Sequence, residues 1–186
     1  MKSVPGTLIV LVALFASCGA QAQLQPPRGI GQAPSRASGD PYEALSFFEG
    51  NWTINGLPEG VRFDEACNWL SNTHRHLVCR SRTESRNGVQ EGLAVFSYRP
   101  SDGMYVYRSF DPNGEVDTLE GRRNGELWQF AGLSGTGAAQ RRTRLTITPG
   151  GERSFRLMEE VAVGNGAFQS QPEVHYVPSV PSSLSR

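Results

Sequence analysis

The feature that most constrains the fold of this chain is a long succession of short segments in which apolar and polar residues alternate. These segments follow one another between residues 51 and 177 and read NWTIN, VRFDEACNWL, HLVCRSRTE, LAVFSY, MYVYRSF, EVDTLEGR, LWQFAG, RTRLTIT, SFRLMEEVA and PEVHYV. A period of two residues is typical of β-strands, because successive side chains point to opposite faces of the sheet. The pattern predicts an all-β fold.

The connections between these segments are short and rich in turn-forming residues, such as Asn87-Gly88, Asn124-Gly125 and Pro149-Gly150-Gly151. Turns of this kind join antiparallel neighbours in a meander. A meander of this length would expose two sheet edges, and closure into a barrel removes them. We therefore predict an antiparallel up-and-down β-barrel of about 8–10 strands. A β-sandwich is the alternative.

The N-terminus has the pattern of a secretory signal peptide over residues 1–22. Lys2 precedes an apolar run, and Ala20-Gln21-Ala22 supplies the small residues that signal peptidase recognises. We therefore predict an exported protein, located in the periplasm or secreted. A second interpretation takes Phe15–Cys18 as a lipobox, in which case a lipid on Cys18 would anchor the protein to the envelope.

Composition divides the rest of the chain into three parts. Residues 23–39 are rich in Pro, Gly, Ser and Gln and predict a disordered linker, and residues 178–186 predict a flexible tail. The β-barrel domain is expected at 40–177. No further apolar run is long enough to span a membrane.

One helical signal stands at the start of the domain. Asp40 can cap a helix, Pro41 suits its first position, and Gly50 can follow its end. Leu45 and Phe48 are three residues apart and share one face. The sequence predicts a single short N-terminal helix.

Two cysteines and two histidines fall within CNWLSNTHRHLVC, a predicted hairpin. If the turn is centred on Thr73, Cys67 lies directly opposite Cys79, at a separation that a disulfide can bridge. An exported protein reaches an oxidising compartment, which favours the bond. Free thiols and a metal site with His74 and His76 are the alternatives, but the spacing is not that of known zinc sites.

Strand parity in this hairpin separates an apolar face from a polar one. The cysteine face also carries Phe63, Trp69 and Leu77, whereas the other carries Asp64, Asn68, His76, Arg80 and Arg82. The cysteine face is therefore expected to point into the barrel.

Several motifs together resemble a known family. Cys67-Asn68-Trp69 and Val78-Cys79, followed by Tyr98-Arg99-Pro100 and Tyr105-Val106-Tyr107, are similar to the exported bacterial family named domain of unknown function 1579. Gly50-Asn51-Trp52 resembles the Gly-x-Trp signature of lipocalin-like barrels, in which the Trp closes one end. The resemblance covers about residues 45–176. It implies a lipocalin-like barrel and no established activity.

The sequence favours a protein that is not an enzyme and has no cofactor or metal. No nucleophile elbow, phosphate loop or zinc-protease motif is present. Glu159 and Glu160 are adjacent and would point to opposite faces of a strand. The 18 basic and 18 acidic residues are interspersed, so no nucleic-acid partner is expected.

Aromatic residues recur on single strand faces and suggest a pocket inside the barrel. Tyrosines inside a barrel need polar partners, which a ligand can provide. We therefore predict a binding protein for a small hydrophobic or amphipathic ligand. The alternative is a structural or interaction protein of the cell envelope with a filled barrel. The predicted ligand-binding residues are Trp69, Phe96, Tyr98, Tyr105, Tyr107 and Trp128.

Overall fold

The structure is a computed structural model that describes residues 39–112, 114–151 and 153–180. The predicted signal peptide, the alternative lipid anchor on Cys18, nearly all of the predicted linker and most of the predicted tail lie outside the described residues.

The described chain is almost entirely β-strand, as the alternating segments predict. Two short 3₁₀ helices accompany the strands, one at Glu43–Phe48 and one at Gly137–Ala139. The strands within these ranges are β1 Gly50–Asn55, β2 Arg62–Trp69, β3 His76–Ser85, β4 Gly88–Arg99, β5 Met104–Phe110, β6 Val116–Asn124, β7 Leu127–Ser134, β8 Arg141–Pro149, β9 Phe155–Val163, β10 Gln169–Ser170 and β11 Val174–Pro178.

The strands form a closed antiparallel barrel, which confirms the predicted fold class. Each strand from β1 to β9 pairs with the next, and β11 lies between β9 and β1, which completes a ring of ten strands. The two-residue β10 is an extra strand that pairs with β9 at Glu160 and Val161, beyond the part of β9 that contacts β11. The uninterrupted pairing excludes the sandwich alternative.

The register of the cysteine hairpin sets which side chains face the interior. Cys67 lies opposite Cys79, and Cys79 lies opposite Ala94 on β4. Phe63, Cys67, Leu77 and Cys79 are buried, whereas Asn68, His76 and Arg80 are exposed. The predicted interior face is confirmed.

The N-terminal helix fills one end of the barrel, which we call the helix end. The predicted helix is present, and its 3₁₀ form is visible in the bond from the Leu45 amide to the Tyr42 carbonyl, at 3.0 Å. Leu45 and Phe48 are buried in the core. Asp40 accepts a hydrogen bond from the Tyr42 amide at 2.9 Å and so holds the chain where the helix begins.

The Trp52 side chain connects this helix to β1 through a hydrogen bond. Its side chain is 3% exposed, and its Nε1 donates a 2.8 Å hydrogen bond to the Phe48 carbonyl. Its ring meets the Phe155 ring edge-on at a centroid distance of 4.9 Å. The position agrees with the predicted role of this Trp in closing one end of the barrel.

The predicted disulfide between Cys67 and Cys79 is confirmed. Replacing both cysteines by serine is expected to destabilise the fold by about 3 kcal/mol, because the bond closes a loop of about 13 residues in the unfolded chain. Urea unfolding of the oxidised wild type and the double variant measures this difference. Peptide mapping without reductant checks the bond itself, and two free thiols in native, air-exposed protein would contradict it.

Candidate ligand cavity

A cavity of about 50 Å³ lies inside the barrel, between the helix end and the opposite end, which we call the mouth. That volume has room for about four water molecules. Its walls are mainly apolar and include the disulfide and Ala94. The rings that line it are Phe48, Phe96, Tyr107, Phe155 and Tyr176, and the charged side chain that lines it is Glu65.

Glu65 projects into the barrel because of strand parity. It lies on β2 between Phe63 and Cys67, opposite Trp52 on β1 and Ser81 on β3. A carboxylate oxygen of Glu65 is within 4.8 Å of the sulfur atoms of both cysteines. Burial raises the pKa of Glu65 from 4.5 to about 7, since the low-dielectric interior disfavours the carboxylate form.

Two phenols face the Glu65 carboxyl across the cavity. Burial raises the pKa of Tyr107 and of Tyr176, and the negative charge of Glu65 raises both further. Both phenols therefore stay protonated at physiological pH and keep a hydrogen-bond donor. Within the described ranges, no side chain forms a hydrogen bond or an ion pair with the Glu65 carboxylate.

The interior becomes polar towards the mouth. Ser134 and Thr143 share a 2.6 Å hydrogen bond, and Arg141 Nε donates to Ser134 Oγ at 3.1 Å. Asp117 accepts a bond from the Gly135 amide at 2.7 Å. Burial raises the pKa of Glu159, and the nearby Arg141 only partly opposes that effect.

The six predicted ligand-binding residues divide into two groups. Phe96 and Tyr107 line the cavity, and their rings are 4.9 Å apart. The other four surround the helix end instead and are Trp69, Tyr98, Tyr105 and Trp128. Ligand binding by any of the six stays a prediction.

The helix explains why four of these aromatics lie away from the cavity. The Phe48 ring sits 5.0 Å from the Trp128 ring, which in turn contacts Tyr105 at 4.8 Å. Trp69 donates from Nε1 to the Glu49 carboxylate at 3.1 Å. Tyr98 meets Tyr42 edge-on at 5.5 Å. Residues at and beside the helix thus occupy the space that a ligand would otherwise fill.

Glu65 is not among the predicted site residues, although its position in the sequence carries a signal. Parity places residue 65 on the same face as Phe63 and Cys67, so the predicted interior face includes a carboxylate. A charged residue at an interior position of an otherwise apolar strand face is a functional candidate.

The structure also locates the groups considered for a metal site. Cys67 and Cys79 use their sulfurs in the disulfide, so in this oxidised form they offer no thiolate. His74 stacks on Trp69 at a centroid distance of 4.9 Å, and His76 is exposed on the outer face. The two histidines therefore do not converge on the cysteines.

No protein-family model matches the chain, and no curated protein matches it. The closed antiparallel barrel agrees with the lipocalin-like fold that the sequence motifs imply, whereas membership of the domain of unknown function 1579 family stays a prediction.

In the described part of the chain, no helix has the length and apolar character needed to cross a membrane.

Proposed function

We propose that this protein is an exported, non-enzymatic barrel that binds a small, mainly apolar ligand carrying one polar group. The observation that carries the proposal is the cavity, whose apolar and aromatic walls are interrupted by one carboxyl and two phenols. Small-molecule sites combine apolar walls with a few placed polar groups in this way. The N-terminal signal pattern and the disulfide support export.

The cavity also limits the size of the ligand. Space for about four water molecules accommodates a short, slim chain, whereas a larger ligand would have to displace wall side chains. A ligand with so few atoms binds weakly, since each non-hydrogen atom contributes at most about 1.5 kcal/mol. The natural ligand is therefore either small or one that widens the cavity as it enters.

Binding of n-butanol, followed by amide chemical shifts in NMR, tests the cavity directly. We expect saturable shift changes around Glu65, Ala94 and Tyr107. Ala94→Leu should abolish them, because the larger side chain fills the cavity from its wall. Ala131→Leu is the matched control, since Ala131 is exposed on the outer face of β7. Absence of saturable shifts in the wild type, or unchanged binding in Ala94→Leu, would contradict the proposal.

The second candidate is a structural or interaction protein of the cell envelope, with or without a lipid on Cys18. The filled helix end favours it, because Phe48 stacks on Phe96 at 4.6 Å and Trp128 is fully buried there. Native mass spectrometry of freshly purified protein separates the two candidates. A co-purifying small molecule supports the binding function, and its absence together with no butanol binding supports the structural one.

A further inference from the structure

We propose that Glu65 selects the ligand by charge, so that the cavity takes a primary ammonium group on a short apolar chain in preference to an alcohol or a carboxylate of equal length. This inference rests on the proposed binding function and names its ligand class. Its basis is a carboxyl in the cavity wall that has no cationic partner among the described residues.

Glu65 is half-buried in the cavity wall, and a carboxylate held there without a cationic partner is unfavourable in a folded protein. Ionised groups inside proteins are normally paired or hydrogen-bonded, because removing them from water is costly. Arg80 and Arg82 flank Ser81, the β3 residue opposite Glu65, and both lie on the outer face, where Arg82 pairs with Glu84. A ligand cation would supply the missing partner.

The surroundings of Glu65 suit an ammonium group in particular. An ammonium has three donors, and the phenol oxygens of Tyr107 and Tyr176 can each accept one while the carboxylate accepts another. Both rings line the same cavity as Glu65. Aromatic faces also attract cations, and Phe96 and Phe155 provide such faces in the cavity wall.

The charged residues towards the mouth also favour a cationic ligand over an anionic one. Among the described residues, Asp117 and Glu159 face the interior there, and Arg141 is the arginine that lies beside Glu159. Both acids raise the pKa of Tyr107, which shows that their charge is felt at the cavity. A carboxylate ligand would add a further negative charge to this group, whereas an ammonium would reduce the repulsion.

Charge selection of this kind depends on pH in a defined way. The pKa of Glu65 is about 7, so the carboxylate form is a minority at pH 6 and the majority at pH 8. The groups that face it are the phenols of Tyr107 and Tyr176, with Asp117, Glu159 and Arg141 further towards the mouth. Because only the ionised form pairs with an ammonium, amine affinity should rise about tenfold from pH 6 to pH 8.

The test compares n-butylamine, n-butanol and butanoate, which share a chain and differ in charge. Each is titrated into the oxidised full-length protein at pH 6 and pH 8, and dissociation constants are taken from amide shifts in NMR. At both values the amine is a cation and butanoate an anion. Glu65→Gln removes the charge and keeps the shape. Glu91→Gln, which alters an exposed carboxyl on the outer face of β4, is the matched control.

We expect the amine to bind the wild type about tenfold more tightly at pH 8 than at pH 6, butanoate to show the reverse, and butanol to be unaffected. In Glu65→Gln, the affinities for butylamine and butanoate should no longer depend on pH, and amine binding at pH 8 should weaken about tenfold or more. Glu91→Gln should behave as wild type. If butanol binds and the affinity for butylamine is no higher at pH 8 than at pH 6, charge selection is overturned and the binding function stands. If none of the three ligands binds the wild type, the binding function itself fails.

Discussion

Replacing Trp52 by alanine is expected to lower the free energy of unfolding by about 3–5 kcal/mol, the usual range for deleting a core aromatic. The side chain is 3% exposed and packs edge-on against Phe155. Its indole nitrogen also donates the bond that ties the Phe48 carbonyl to β1. The alanine variant would lose the ring contacts and leave that carbonyl without its indole donor.

Trp52→Phe separates these two contributions, because phenylalanine keeps a ring in the core but cannot donate the hydrogen bond. We expect the free energy of unfolding of this variant to fall by a smaller amount, about 1–2 kcal/mol. Urea unfolding followed by far-ultraviolet circular dichroism measures both. An unchanged unfolding midpoint in Trp52→Ala would show that this end of the barrel does not depend on the Trp.

Much of the fold could be predicted from the sequence, including closure into a barrel, which removes the sheet edges, but the strand that closes the ring could not. The alternating segments and their turn residues identify neighbouring strands, because a hairpin is a local structure. The pairing of β11 with β1 joins residues from opposite ends of the domain sequence, such as Trp52 and Pro178, and no local signal specifies it. Strand β10 lies in a stretch with glycine and proline around it and has only two residues, too few to show a period.

Strand ends were harder to predict than strand positions. The alternating pattern suggests that β4 begins near Leu93, whereas it begins at Gly88. Residues 88–91 are exposed and largely polar on both faces, so no apolar alternation marks them. Backbone pairing of Glu84 with Val89 extends the hairpin there without help from a buried face.

For the cavity, parity predicts which face a side chain takes but not its depth along the barrel. Phe96 and Tyr98 share the inner face, yet Phe96 lines the cavity and Tyr98 lies at the helix end. Depth depends on the stagger of neighbouring strands and on where the helix inserts. Glu65 is absent from the predicted site for a different reason, since that site was predicted from aromatic residues alone and a carboxylate on the same face carries no aromatic signal.

Glu65 should also make the stability of the protein depend on pH. Its pKa is about 7 in the folded state and near 4.5 in the unfolded chain. Below pH 4.5 Glu65 is protonated in both the folded and the unfolded state, so its ionisation does not lower the stability of the fold. Between pH 4.5 and 7 only the folded state retains the proton, and stability falls as pH rises. Above pH 7 the free energy of unfolding is lower than at pH 4 by the full effect of the Glu65 pKa shift, which is at most about 3.4 kcal/mol.

Glu65→Gln is therefore expected to be more stable than the wild type above pH 7, by up to about 3 kcal/mol, and close to it at pH 4. Urea unfolding from pH 4 to pH 8.5 measures the difference. Glu159 has a raised pKa as well, but it is present in both proteins and cancels in the comparison. Glu91→Gln should show no such pH-dependent gain, because its carboxyl is exposed. A gain in Glu65→Gln that was equal at every pH would mean that packing changed rather than charge, and that the Glu65 carboxyl is not held inside the barrel as a costly anion.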